Sequence, residues 1–455
     1  MKTRFAQIRT AIPGPRSQAL RAEEAEFLAP GTQGVSQLAG IAVDHGEGAL
    51  VTDVDGNTFV DFVAGICVAS LGHGHPALAR ALGEQASRIA AGSFTSAPRT
   101  ELLKRIGMLA AKIVPGSKLK RTQLYSGGAE AVESALRLAR AYTKKYEVVA
   151  FWGGFHGKTN GVLGLMGSDF KHGLGPLPTG NHLAPYPDCY RCPLKSSHPD
   201  CGLACVDFLR QLIKLNTAGS LAAIIVEPIQ GTAGNVVPPP DWLPAVKSVA
   251  KEFDALLVLD EMITGFGRTG RMFGAEHFGV EADIMTFGKG VASGYPLTGL
   301  ISSDEIMDPQ RCDPWGRPSF SSSSYGGGPL GAAAGNAVTK VLVDERIPER
   351  VADVGGALLA ELSKLERFPF VGEVRGKGLM LAIELVKDKQ TREPLDKKTC
   401  EWIFRECLRR GLLSMAYAPR VRINPPLVIG RDEALEGAAV LDEVFAELAA
   451  RWTQK

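Results

Sequence analysis

No apolar run in this 455-residue chain approaches the roughly 20 residues that a membrane-spanning helix needs. The opening stretch, Met1-Lys-Thr-Arg-Phe-Ala-Gln-Ile-Arg-Thr10, has no apolar core of the kind a secretory signal carries. Neither sign of charge dominates: 51 Lys and Arg stand against 49 Asp and Glu. That balance removes the electrostatic case for nucleic acid or an anionic membrane as partner. Internal repeats are absent, and the 52 glycines and 28 prolines are dispersed rather than tandem. Dispersed breakers mean many tight loops, not low complexity. What remains is the expectation of a cytoplasmic protein, long enough for a large core and more than one domain.

What is present centres on Asp283-Ile-Met-Thr-Phe-Gly-Lys-Gly290. The run Ile284–Phe287 reads as a short buried strand, and Gly288 and Gly290 let the chain bend where it ends. Lys289 is therefore presented at a strand end, the usual place for a site in an α/β protein. It is either a surface lysine in a glycine loop or an amine that can form a Schiff base with a carbonyl cofactor. A second run, Ala255-Leu-Leu-Val-Leu259, is apolar throughout, as for a strand buried on both faces of a parallel sheet. It ends in Asp260-Glu261, a structural cap or a charge held for a ligand. Pyridoxal phosphate asks for such a pair: a lysine to carry the aldehyde, and a carboxylate to keep the ring nitrogen protonated so that the ring stays an electron sink.

Leu259-Asp-Glu-Met-Ile-Thr-Gly-Phe-Gly-Arg-Thr-Gly270 followed by Phe287-Gly-Lys-Gly290 resembles the class III (ω-type) PLP-dependent aminotransferases, and the similarity runs over nearly the whole chain. The resemblance implies that Lys289 is the Schiff-base lysine and Asp260 the partner of the pyridine nitrogen. It implies PLP fold type I, an α/β fold whose large domain has a mostly parallel central sheet, with a smaller α+β domain built from the C-terminus with N-terminal help. The expected division is an arm and hairpin over 1–75 belonging to the small domain, a large cofactor domain over 76–330, and the small domain proper over 331–455.

Further motifs fall along the chain in order. Ser17 is a candidate cap for a charged helix over Gln18–Leu28. Its Pro13-Gly-Pro15 lead is similar to that of many 4-aminobutyrate aminotransferases, where it implies an arm on the partner subunit. Gly46–Phe62 reads as a β-hairpin turning at Asp55-Gly56. Ile66 occupies a position that faces substrate in the family; dialkylglycine decarboxylase, a relative, has a glutamine there. Arg121–Tyr125 reads as a strand entering Ser126-Gly-Gly-Ala129 and a helix through Tyr142. Small residues at such a turn let backbone amides and the helix dipole meet a phosphate. Gly128 and Ala129, with Ser126 beside them, are the positions that the resemblance gives to the cofactor phosphate.

Glu147–Phe151 is the next strand, leading to Phe155-His-Gly-Lys158. In the family the position of Phe155 stacks on the pyridine ring, with His156 behind it. Met262 is expected on the opposite ring face, and Glu227, at the end of the strand Leu221–Val226, near the cofactor edge. Lys158 stands where bacterial 4-aminobutyrate enzymes carry an arginine that grips the ω-carboxylate. Lysine keeps the charge and loses the bidentate fork, so it is either a looser carboxylate ligand or a solvated loop lysine. Thr232 and Ile263 replace a glutamate and a glutamine common in 4-aminobutyrate enzymes. Ser324, before Tyr325-Gly-Gly, matches a hydroxyl that reaches the phosphate of the neighbouring subunit's cofactor. That reading implies a homodimer, or a tetramer built from it, with shared active sites. Arg422, in Arg420-Val-Arg-Ile-Asn-Pro-Pro-Leu427, matches the arginine that binds the α-carboxylate of the 2-oxo acid; its planar fork suits a carboxylate.

Two groups suggest metal without requiring it. His73 and His75 have no third ligand nearby, which favours a loop-building role. Cys189, Cys192, Cys201 and Cys205 lie within 17 positions with His198 among them, but the spacing departs from common zinc patterns. A zinc or iron–sulfur site, disulfides and free thiols stay open there, disulfides being disfavoured in a reducing cytosol. No metal is assigned. The expected activity is a ping-pong transfer of an amino group from an ω-amino acid or amine, 4-aminobutyrate-like, to a 2-oxo acid such as 2-oxoglutarate or pyruvate. Dialkylglycine decarboxylase-like chemistry and an amino acid racemase on the same fold are the alternatives.

Overall fold

Apolar runs that end in a polar residue form the centre of the protein, a computed structural model that describes residues 4–452. The chain separates into two units: residues 77–348, and the residues up to Pro76 together with those from Glu349 onward. The second division falls later than the expected 330/331, because the helix Pro329–Asp344 packs on the helix Ala97–Ala110 inside the larger unit.

In the larger unit seven strands make one sheet: β1 Arg121–Tyr125, β2 Glu147–Phe151, β3 Asn181–Ala184, β4 Leu221–Val226, β5 Leu256–Asp260, β6 Ile284–Phe287 and β7 Thr298–Ser302. Their order across the sheet is β1-β7-β6-β5-β4-β2-β3. Only β7 runs antiparallel to its neighbours. Helices cover the faces, among them α1 Gly128–Thr143, α2 Ala204–Asn216 and α3 Trp242–Glu252. Burial on both faces explains why β2, β4 and β6 are buried at every position. The parallel strands all point their carboxyl ends the same way. Tyr125, Phe151, Val226, Asp260 and Phe287 therefore reach one edge of the sheet, where ligands bind in open α/β folds.

The smaller unit carries two sheets, one mixed and one antiparallel. The hairpin pairs Leu50–Asp53 with Thr58–Asp61 and takes Val43–Glu47 as a third strand; Gly56 at its turn has φ +83°, which glycine adopts without strain. The strands Val371–Lys377, Met380–Leu385 and Arg420–Ile423 form the other sheet, with Arg422 opposite Ala382. The first helix spans Pro15–Ala25, not Gln18–Leu28. Ser17 is buried in its first turn, and the Asp55 carboxylate takes the amides of Arg16 and Ser17, each at 2.8 Å. The cap comes from the hairpin turn rather than from the adjacent serine. Among the described residues no helix is long and apolar enough to cross a membrane.

Candidate active site

Asp260 ends β5 buried, with 2% of its surface exposed. Its Oδ2 lies 2.8 Å from His156 Nδ1, while Oδ1 accepts from Thr286 Oγ1 at 3.1 Å and from the Met262 amide at 3.2 Å. Glu227, at the end of β4, is buried beside them and accepts from the amides of Phe155 and Gly231, both at 3.0 Å. Burial opposes a charge on His156, but the hydrogen bond and charge of Asp260, then the charge of Glu227, carry its pKa up overall. Burial pushes the Glu227 carboxyl up as well, against the opposing charge of His156. The Asp260 carboxyl group is thus braced by the His156 ring on one oxygen and the Thr286 hydroxyl on the other.

Lys289 follows β6 in a short 3₁₀ turn and has φ +43°, a strained value for a residue with a Cβ. A Cβ on the preceding Gly288 would come within 2.7 Å of Met262 Sδ and 2.8 Å of Thr298 Cγ2, so only glycine allows this approach. Met262 Sδ is also 3.4 Å from where a Cβ on Gly128 would stand. One sulfur thus joins the Lys289 turn, the end of β5 and the start of α1. At that helix start Glu130 takes the amides of Ser126 and Gly127, at 3.2 and 3.3 Å. The amides of Gly128 and Ala129 have no acceptor among the described residues, at the positive end of a 16-residue helix. A phosphate fits those donors, a ring nitrogen fits the braced carboxylate, and an aldehyde fits the lysine. The residues present therefore suit pyridoxal phosphate.

Phe155 is half-buried, and its ring meets Phe170 edge to face at 5.8 Å. Phe170 in turn lies under the Lys158 ammonium, 5.4 Å from the ring centre. Lys158 itself is exposed, as is Ser324 in its loop. Ile66 and Arg422 belong to the other unit. Ile66 has φ +65° in a run of four left-handed residues from Ala64 to Cys67, an unusual conformation for a β-branched side chain. Arg422 is half-buried on its strand, with no side-chain hydrogen bond or ion pair among the described residues. His73 instead pairs with Asp61, Nε2 to Oδ2 at 2.9 Å. Sequence reasoning passed over Thr286 and Phe170. A lone hydroxyl inside the apolar strand Ile284–Phe287 was a usable sign of the first; the second is placed by tertiary packing alone.

Glu261, next to Asp260, serves the scaffold. It accepts from the amides of Gly274 and Ala275, at 2.9 and 2.7 Å, and from the Thr264 hydroxyl. Burial pushes its carboxyl up to about 7. Between about 4.5 and 7 the folded chain keeps this proton while the unfolded chain has lost it. The group's contribution is thus fully present below about 4.5 and lost as pH rises to 7, a fall of about 3 kcal/mol. Glu261→Gln removes the titration. Unfolding free energies of both proteins across pH 4.5–8 should show their difference changing by about that amount, then levelling above 7; a constant difference would sink this assignment.

The model of the class-III aminotransferase family matches residues 31–445. The chain belongs to this family. The class-III aminotransferase chain is 35% identical over 428 residues to a 5-aminovalerate aminotransferase of Pseudomonas putida, covering 92% of this chain and 96% of the relative. It is 32% identical over 416 residues to a leucine/methionine racemase of Thermococcus litoralis, covering 90% and 91%. Among solved structures, a PLP-bound amine transaminase from an uncultivated Pseudomonas species superimposes with a TM-score of 0.86 at 32% identity, over 93% of this chain and 98% of that one. The class-III aminotransferase is a transaminase of the PLP-dependent fold, and its cofactor is pyridoxal phosphate.

Proposed function

We propose that the enzyme moves the amino group of an ω-amino acid or related amine to a 2-oxo acid, 2-oxoglutarate or pyruvate, in two half-reactions at one site. Pyridoxal phosphate supplies the electron sink that makes the amine-bearing carbon acidic. Lys289 Nζ would hold the cofactor between turnovers and carry the proton off that carbon once the donor has displaced it. Asp260, braced by His156 and Thr286, would meet the ring nitrogen and keep it protonated. The amides of Gly128 and Ala129 would bind the phosphate with Ser126 beside them, Phe155 and Met262 would bound the ring, and Glu227 fixes the loop of Phe155 by accepting from its amide. Arg422 would receive the α-carboxylate of the acceptor; a half-buried guanidinium with no carboxylate partner among the described residues supports this. Ser324 and Ile66 complete the site in this reading, Ser324 from the second subunit of a homodimer.

The observation that carries the donor class is the Lys158 ammonium, exposed above Phe170, which in turn touches Phe155. A positive charge linked through Phe170 to Phe155 supports a role for Lys158 toward the far carboxylate of an ω-amino acid, with less geometric demand than an arginine fork. Relatives named for 5-aminovalerate and 4-aminobutyrate support the same class. Lys158→Ala should raise KM for 4-aminobutyrate or 5-aminovalerate about tenfold, the value of a partly solvated charge pair. It should leave a donor amine without a carboxylate unchanged. Equal effects on both donors would refute the assignment. A second reading, racemisation of an amino acid, is favoured by the racemase relative. Single-turnover spectra without acceptor separate them: a transaminase converts its cofactor stoichiometrically to the amine form, whereas a racemase leaves the band in place while the amino acid loses chirality.

A further inference from the structure

Half of the chain's eight cysteines lie between β3 and the first turn of α2, and none of the four is in a disulfide. Cys189, Cys192, Cys201 and Cys205 all line one small cavity, shared with Tyr186 and His198. It encloses about 20 Å³, enough for one atom the size of a water oxygen. The other four cysteines, Cys67, Cys312, Cys400 and Cys407, are buried and dispersed along the chain.

The backbone delivers the thiols as two turns. Cys189–Arg191 is a single 3₁₀ turn whose cap, Asp188, accepts from the Arg191 amide, and Cys192 closes it. Residues three apart on such a turn share a side. Cys201 and Cys205 bracket the start of α2: the Cys201 carbonyl accepts from the Ala204 amide at 3.0 Å, and Leu203 between them is left-handed at φ +61°. His198 is held away by Asp241, Nε2 to Oδ1 at 3.3 Å. Among the described residues no three such side chains already surround a common metal position, so binding would have to draw these four side chains together.

We propose that this loop binds one thiophilic divalent cation, zinc by its chemistry, through Cys189, Cys192, Cys201 and Cys205. Four thiolates in tetrahedral array are a closed, structural donor set. Binding replaces four S–H bonds by four metal–sulfur bonds and releases four protons to solvent, with no change of oxidation state. The clamp would bear on the site indirectly. The Tyr186 hydroxyl, on the cavity wall, donates to the carbonyls of Glu227 and Pro228, at 3.3 and 3.2 Å, and Glu227 holds the Phe155 amide. Closing the four-cysteine turn stiffens the wall behind Glu227 without touching substrate.

The test uses the full-length holoenzyme and no activity readout, so it stands apart from the proposed transamination. Elemental analysis should find about one zinc per chain, falling below about a tenth in Cys201→Ser/Cys205→Ser. Chelator-treated wild-type protein titrated with cobalt(II) should develop the intense visible absorption of tetrahedral cobalt–thiolate, saturating near one equivalent; His198→Ala should keep it. Four thiols should resist a thiol reagent in the native zinc-loaded protein and react after chelation. Absence of zinc together with absence of the cobalt spectrum in folded wild-type protein overturns the proposal. A native mass that shows these cysteines paired as disulfides overturns it too, and neither result depends on the variant folding.

Discussion

Lys289→Ala is expected to lower kcat by about 10⁴-fold, or about 5 kcal/mol of barrier, with little change in melting temperature. The two halves of that expectation have different origins. On the proposed mechanism, the loss follows from removing the amine that would both hold the cofactor aldehyde and move the proton. The unchanged stability follows from the backbone: Lys289 is strained because its Cβ stands at φ +43°, and alanine has the same Cβ, so the strain neither grows nor disappears. Lys289→Arg separates charge from chemistry. It keeps a cation at the position but cannot give up its proton or act as a nucleophile, and should be as slow as the alanine variant. Added methylamine should restore part of the alanine variant's rate by serving as a free proton carrier. If Lys289→Ala retained activity within tenfold of the wild type, the role given to this residue would be wrong. A variant that simply lost the cofactor would show no visible band at all, and that outcome is distinguishable from slow chemistry on bound cofactor.

The sequence announced this lysine because local rules converge on it. A four-residue apolar run, a glycine on each side and a second apolar strand ending in aspartate need no tertiary knowledge to be read, and β1, β2, β4 and β6 fall on the expected residues for the same reason. Legibility ends where partners lie far apart in sequence. Asn181–Ala184, the edge strand β3, pairs on one side only and carries no apolar pattern. Thr298–Ser302 is polar at both ends, and what places it between β1 and β6 is pairing on both sides rather than its own composition. The helix near Ser17 begins earlier than its serine suggests, since Asp55 competes successfully for the free amides from 38 residues away. At the site, the motif located Asp260 and His156 but not the 2.8 Å contact between them across 104 residues. Nothing local connects Phe170 to Phe155 and Lys158.

That unread contact sets the second large effect. Asp260→Asn should lower kcat by about 10²- to 10³-fold while the folded protein keeps cofactor bound. Asparagine preserves the shape of the site, and its amide oxygen can still accept from the Met262 amide or the Thr286 hydroxyl. It cannot be anionic, so on the proposed role nothing would hold the proton on the ring nitrogen and the electron sink would weaken. His156 reports the same change independently. Its pKa is carried up by Asp260 before Glu227; with Asp260 neutral, burial dominates and the imidazole should titrate lower. The ¹⁵N resonances of His156 followed against pH would show that fall in the variant, a signature that loosened packing would not produce. Asp260→Ala is the harsher change: it leaves an imidazolium buried without its carboxylate, which costs about 3–5 kcal/mol of stability unless the ring gives up its proton. The asparagine variant should therefore be folded and slow, and the alanine variant slow and less stable. An asparagine variant with wild-type kcat and an unmoved His156 titration would mean that the carboxylate serves only to pack the strand end, and the role of the His156–Asp260 pair in catalysis would have to be abandoned.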